Sequence, residues 1–230
     1  MEVVGKELTL GAFGGYQSRT HSTNQKFSLK EVGLLAKYDL SKDESGRRKI
    51  YGELLLEAGQ VVFIYSLKDK DSILAGYGKN ALATVGVGGG CKYKISQNLE
   101  LDGTIRYTLY NHDKADITLT CDGNELFCKC ESRADNQISA RVKMNIKKLW
   151  KIKPYAGIGY EYILEGKIKG KGHIGDDLFA MPEFNYQAGA VILIVGASAK
   201  LWKFDVDLSG QGYIGKRSGA AGTLKVKYTF

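Results

Sequence analysis

Apolar and polar residues alternate one by one along much of the chain, most clearly at its C-terminus. Over residues 223–230, Leu224, Val226, Tyr228 and Phe230 share one face, and Thr223, Lys225, Lys227 and Thr229 share the other. Just before, Phe204, Val206 and Leu208 alternate with Asp205, Asp207 and Ser209. Successive side chains of a β-strand point to opposite faces, so each segment predicts a strand with one greasy and one charged side. Upstream, Ile138, Ala140, Val142, Met144 and Ile146 oppose Gln137, Ser139, Arg141, Lys143 and Asn145. Val32, Leu34, Ala36, Tyr38 and Leu40 oppose Glu31, Gly33, Lys37 and Asp39, and Leu99 to Leu109 and Ala156 to Tyr162 alternate in the same way.

The pattern predicts about ten strands, centred on 7–19, 27–40, 49–63, 79–95, 98–111, 134–148, 153–166, 184–201, 203–214 and 220–230. The segment 184–201 alternates least cleanly. Short connections fall at Ser96-Gln97, around Trp150 and at Trp202-Lys203, with a longer turn at Ser41–Arg48. Long polar ones fall at 20–26, 64–78, 112–133 and 167–183, while Gly215–Gly219 is brief where a long one is expected. Short turns on one rim and long loops on the other predict a transmembrane antiparallel up-and-down β-barrel spanning 1–230, with short turns periplasmic and long loops extracellular. A soluble β-sandwich also alternates, but it rarely carries charge on the second face of nearly every strand.

Composition sharpens this reading. No apolar run approaches the ~18 residues of a membrane helix; the longest, Ala188 to Ala199, is broken by glycines and Ser198. Two prolines against 29 glycines and 14 tyrosines suit a chain of central strands bordered by amphipathic rings. The net charge of +8 is spread along the chain without a basic block or binding motif, so nucleic acid is not an expected partner. Inward charges of both signs, among them Glu31, Glu53, Glu57, Asp102, Arg106, Arg141, Lys143, Glu161 and Asp207, are expected to pair across strands inside the barrel. Met1-Glu-Val-Val-Gly5 lacks the basic and apolar regions of a signal peptide, so an exported chain is expected to be a segment of a longer precursor.

Candidate chemistry is sparse. Cys121, Cys128 and Cys130 cluster in one loop; Cys-x-Cys without a nearby histidine is poor zinc spacing, so one loop disulfide with an odd thiol is expected, its pairing open. Cys91 is expected on the lipid face. His112-Asp113 starts a long loop, with Asp71 and Asp176-Asp177 in others, the minimum for a ten-stranded outer-membrane protease of omptin type. No omptin motif accompanies them, and neither an enzyme, a cofactor nor a metal site is expected. Gly86–Gly90 lacks the Lys-Ser and helix of a phosphate loop and reads as a curved barrel strand.

Three C-terminal segments, Lys153-Pro-Tyr-Ala-Gly-Ile-Gly-Tyr-Glu-Tyr162, Leu208-Ser-Gly-Gln-Gly-Tyr-Ile-Gly-Lys-Arg-Ser-Gly219 and Gly222-Thr-Leu-Lys-Val-Lys-Tyr-Thr-Phe230, resemble the autotransporter β-barrel domain. Gly11-Ala-Phe-Gly-Gly-Tyr16 and Gly33 to Leu40 resemble that family's early strands, so the likeness covers nearly the whole chain. It implies the translocator unit of type V secretion, an outer-membrane conduit or anchor for an N-terminal passenger. It also implies the outer-membrane lipid and the barrel-assembly machinery as partners. Gly222, Val226, Tyr228 and Phe230 resemble the terminal signal that machinery reads. The family has about twelve strands and a pore helix. The match starts at what corresponds to the third strand, so a barrel lacking two strands, the helix and the passenger is expected. A small porin or adhesion barrel is the other alternative.

Overall fold

The computed structural model describes residues 7–22, 25–68, 73–121, 124–146, 152–174, 177–180, 184–185 and 187–229. In chain order its strands are β1 (Leu8–Ser22), β2 (Gln25–Lys42), β3 (Arg48–Lys68), β4 (Ile73–Lys94), β5 (Leu99–His112), β6 (Ala115–Cys121), β7 (Asn124–Cys130) and β8 (Arg133–Ile146). They continue with β9 (Ile152–Glu165), β10 (Lys167–Ile168), β11 (Gly170–Ile174), β12 (Asp177–Ala180), β13 (Phe184–Asn185), β14 (Gly189–Leu201), β15 (Phe204–Gly215) and β16 (Ser218–Thr229).

Ten of them form a ring of antiparallel neighbours, β1-β2-β3-β4-β5-β8-β9-β14-β15-β16. β16 returns to β1 in a continuous ladder from Thr9 opposite Thr229 to Thr20 opposite Ser218. The closing strand therefore has its partner, and the two strands expected to be missing leave no gap in the ring. Closure also removes the open edges that would otherwise invite pairing with other chains. The last residue of the predicted closing strand, Phe230, lies outside the described residues.

The distribution of side chains is inside-out. Val32, Ile105, Val195 and Leu208 point outward and are 65, 66, 64 and 64% exposed, whereas inward Glu53 and Glu161 are 5 and 0% exposed. In water such a surface would be an aggregation hazard; against lipid it is the surface required, since the closed ladder pairs the backbone of each strand with its neighbours. Outward aromatics border this aliphatic belt at two levels. Tyr38, Tyr93, Phe204 and Tyr228 lie at the short-turn rim, and Tyr16, Tyr107, Tyr160 and Tyr162 lie toward the other, as amphipathic rings do at membrane boundaries. At the lower rim Phe204 packs 5.5 Å from Tyr228 and 6.4 Å from Trp202. Cys91 lies on the outward face of β4, as expected, with Sγ 3.8 Å from the Lys92 carbonyl.

The long connections differ most from expectation. Much of 64–78 is strand: β3 and β4 pair without a break from Arg48–Tyr93 to Lys68–Ile73 and rise beyond the ring. The 112–133 segment folds into the hairpin β6–β7, which docks on the raised part of β4 from Lys79–Asp116 to Leu74–Cys121. β11 adds to β7 and β12 to β11, so the barrel's own sheet continues through β4 into an extension above the ring. These residues are polar enough to read as loop. What recruits them is the unpaired upper half of β4, left free because β5 pairs β4 only from Leu82 downward.

At the short-turn rim, Asp43 organises the β2–β3 turn. Its Oδ1 accepts from the Arg48 amide at 2.8 Å, its Oδ2 accepts from Ser45 Oγ at 2.6 Å, and Gly46 takes φ 61°. The Ser45 hydroxyl and the Arg48 amide hold its carboxyl below the usual carboxylate range. A group with a depressed folded pKa contributes stability above its unfolded value and loses it as pH falls through the folded one. Asp43→Asn is therefore expected to flatten the pH dependence of unfolding below about pH 4, measured by unfolding rate in detergent from pH 6 down to pH 2. An unchanged acid limb would remove Asp43 from this role.

Candidate functional site: the charged lumen

The strand parity that turns aliphatic side chains outward turns a second set into the barrel. Three inward rings face a glycine directly opposite on the neighbouring strand: Phe13 opposite Gly33, Tyr51 opposite Gly90 and Tyr155 opposite Gly196. A Cβ at any of these glycines would overlap the ring. The bare backbone lets each ring lie flat on the wall, and Tyr51 and Tyr155 then reach two strands over. Tyr51 Oη donates to Asp102 Oδ1 at 2.6 Å and lies 2.8 Å from Thr104 Oγ1; Tyr155 Oη donates to Asp207 Oδ1 at 3.0 Å.

Charged side chains fill the space between. Glu53 is the most heavily engaged acid: Arg106 reaches its Oε1 with Nη2 at 2.6 Å and Nε at 2.8 Å, and Lys37 Nζ lies 3.1 Å from its Oε2. Lys37 Nζ also sits 4.3 Å from the Tyr51 ring centroid. Glu161 accepts from Gln137 at 3.3 Å and pairs with Arg217 at 3.5 Å. Ion pairs thus join adjacent strands, as Lys37 and Glu53 do, and also strands two apart, as Arg106 and Glu53 do.

Charge is sorted by height. Toward the long-loop rim a cavity of about 60 Å³ is lined by Glu31, Glu57 and Glu161 with Arg106, Arg141 and Lys225. Below it a second cavity of about 60 Å³ is lined by Lys37, Arg106, Arg141, Lys143, Lys225 and Lys227, with only Glu53 and Asp207 as acids. Residues from opposite walls, β2 and β3 against β8 and β15, surround this one small space. A helix about 10 Å across has no room at this level. Apolar side chains narrow the barrel further. Ile192 and Ile194 point inward from β14 against Tyr155 and Tyr213 while Val191, Leu193 and Val195 point outward, which is why 184–201 alternates so poorly.

Other predicted residues scatter. Gly222, Val226 and Tyr228 line the outward face of β16. His112 does not pair with its sequence neighbour Asp113, whose Oδ1 accepts from the Lys114 amide. His112 turns inward instead, with Nε2 2.8 Å from Asp135 Oδ2 and Nδ1 3.4 Å from Asn80 Nδ2. Both ring nitrogens thus face a side chain within hydrogen-bond distance. Asp71 and Asp176 lie outside the described residues. Asp135 and Tyr51 carry site contacts that motif reading missed; the signal that finds them is inward parity combined with the strand register.

Cys128 and Cys130 are free thiols, buried on one face of β7. Cys121 stands opposite Asn124 in the hairpin register, four residues along β7 from Cys128. That is roughly 13 Å of strand, against the ~7 Å limit of a disulfide. A bridge from Cys121 to Cys128 or Cys130 therefore does not fit this register, and Cys128 and Cys130 are not bonded to each other. Burial pushes both thiols up from their ordinary range, which keeps them protonated and unreactive near neutral pH. Alkylation of the folded protein is expected to be slow at both positions and fast after denaturation, read by mass; either cysteine found already oxidised would overturn this.

A closed ten-stranded barrel with a lipid-facing belt, two aromatic girdles and a charged interior defines the class: a β-barrel of bacterial outer-membrane type. No protein-family model matches the chain, and no curated protein matches it in sequence. Solved structures share the fold. The β domain of the Bordetella autotransporter BrkA is 12% identical with a TM-score of 0.54, covering 97% of this chain and 99% of that one. The outer-membrane protease OmpT of Escherichia coli is 9% identical with a TM-score of 0.54, covering 98 and 96%. The COG4313 outer-membrane channel of Pseudomonas putida F1 is 10% identical with a TM-score of 0.50, covering 100 and 97%.

Proposed function

We propose that this barrel is an outer-membrane anchor of autotransporter type, a unit that holds displayed protein at the bacterial surface. The carrying observation is the closed ring with opposite walls meeting around small lumen cavities. The resemblance of β9, β15 and β16 to autotransporter barrels, and the end-to-end fold match to the BrkA β domain, support the same family. Of the two roles the resemblance implies, anchor and conduit, the narrow lumen favours the anchor. A passenger joined ahead of Leu8 would start at the short-turn rim and meet filled space. The structure standing above the long-loop rim is the barrel's own sheet, β6, β7, β11 and β12 on the raised β3–β4 hairpin.

In this reading the short turns are periplasmic, the sheet is extracellular, and the outward Gly222, Val226 and Tyr228 of β16 meet lipid and the assembly machinery. The protease alternative draws on the fold shared with OmpT, but His112 has no ring nitrogen left to activate water.

Two epitope tags test the proposal in cells exporting the full chain behind a signal peptide. A tag between Cys121 and Asn124 is expected to be cleaved by external protease on intact cells. One ahead of Leu8 is expected to be protected until the outer membrane is permeabilised. Surface exposure of the N-terminal tag would replace the anchor by the conduit, and protection of both would reject the orientation.

A further inference from the structure

The lower lumen level is chemically unbalanced. Arg141, Lys143, Lys225 and Lys227 converge on its cavity from two nearly opposite walls, β8 and β16. Of the two acids lining it, Glu53 is taken by Arg106 and Lys37, and Asp207, opposite Lys225, accepts the Tyr155 hydroxyl. Asp102 and Asp205 stand opposite Lys143 and Lys227, which still leaves the six cations of the lining in excess. Lys225 shares this cavity with Arg106, Arg141, Lys143 and Lys227, and its Nζ sits 5.4 Å from the Phe13 ring centroid. Arg141 Nε is buried without a hydrogen-bond partner.

Three of the four side chains lie opposite a glycine: Gly11, Gly157 and Gly159 leave room for the stems of Lys227, Lys143 and Arg141 to lie against the wall, while Lys225 lies over the Phe13 ring. Buried charge in excess of its counter-charge is costly, and one way to offset it is to bind an ion of opposite sign. The cavity of about 60 Å³ exceeds the roughly 10–15 Å³ that one water requires. Thr104 and Ser139 add hydroxyl donors to its lining.

We propose that this level of the lumen is a binding site for a small tetrahedral oxyanion, inorganic phosphate or sulfate. Arg141 supplies directed N–H donors, while Lys143, Lys225 and Lys227 supply charge from both walls. Glu31, Glu57 and Glu161 line the level above and repel an anion from it, so the site is confined to the lower cavity. The bound ion then cross-links β8 to β16, opposite sides of the ring, without a covalent bond.

The test is the unfolding midpoint of the full chain, refolded from urea into detergent micelles so that the ion can enter during folding. Potassium phosphate is compared with potassium chloride at matched ionic strength and pH. Phosphate is expected to stabilise beyond chloride, with the unfolded fraction falling about tenfold when phosphate is ten times its dissociation constant; sulfate is expected to act alike. Lys225→Met is expected to lose the phosphate response while keeping most of its stability in chloride, because it removes one cation of an excess and keeps an apolar side chain over the Phe13 ring. Arg141→Gln carries the same test by a second residue if Lys225→Met does not fold. Equal stabilisation by both salts, or a phosphate response that survives both substitutions, would overturn the proposal.

Discussion

Glu53→Leu is expected to destabilise the barrel by about 3 kcal/mol, because it strands two cations rather than removing one contact. Arg106 and Lys37 both converge on this carboxylate, and its own side chain is almost fully enclosed. Their side chains are 19 and 20% exposed, so some lumen water remains to solvate them, which keeps the loss at the low end of the range for broken buried pairs. Glu53→Gln keeps the shape and one acceptor and is expected to cost about half as much. The discriminating variant is Glu53→Leu combined with Arg106→Met. If stranded charge is the cause, the double variant is more stable than the sum of the two single losses, and the coupling energy exceeds ~1 kcal/mol. Urea midpoints in detergent, with heat-modifiable gel migration as the assay of folding, give all the values. Strict additivity would show that Glu53 acts through packing alone.

How much of this was legible beforehand follows from which interactions are periodic. The outward belt and the inward charges have period two, so Val32 against Glu31, or Leu208 against Asp207, could be sided from the sequence without coordinates. β14 was the least legible strand because Ile192 and Ile194 pack inside while Val191, Leu193 and Val195 meet lipid, and apolar residues on both faces erase the alternation. The sheet above the barrel was illegible for a different reason. Lys79, Asp116 and Lys129 are polar residues paired in ladders outside the membrane, where neither face need be greasy, so hydropathy marks them as loop.

Ring closure was also beyond the pattern. Resemblance set an expectation of twelve strands, but strand number is fixed by which edges meet, and here β1 supplies the edge that β16 needs. Specific partners depend on register in the same way. Asp135 rather than Asp113 faces His112, because Arg133 rather than a residue nearer in sequence sits opposite it across the ladder. A sequence neighbour on a strand points to the other face, so adjacency in sequence is evidence against contact. That same rule separates Gly90 from the neighbours it was grouped with: in the run Gly86–Gly90, alternate members face opposite sides, and only the inward ones bear side chains from adjoining strands.

Gly90→Val is therefore expected to destabilise by about 3 kcal/mol, although valine favours strands and glycine does not. Strand propensity spans only ~1 kcal/mol, whereas a side chain here must displace Tyr51. A Cβ at Gly90 would coincide with the Tyr51 ring and its hydroxyl and lie 2.5 Å from the Gly103 carbonyl oxygen. Backbone on one side and a buried ring on the other leave no flexible group to give way. Displacing the ring breaks the hydrogen bond to Asp102 and the contact with Thr104, and takes away the surface over which Lys37 sits. Asp102 is then left without its donor, and the loss spreads toward Glu53 through Lys37. Gly212→Val is the control: it faces outward with no atom within 4 Å of a new Cβ, and it is expected to leave the urea midpoint unchanged or slightly raised. If Gly90→Val matched Gly212→Val, the ring-on-glycine contact would not be what holds this wall. If Tyr51→Phe alone reproduced the Gly90→Val loss, the hydrogen bond to Asp102 rather than the ring's seat on Gly90 would carry it.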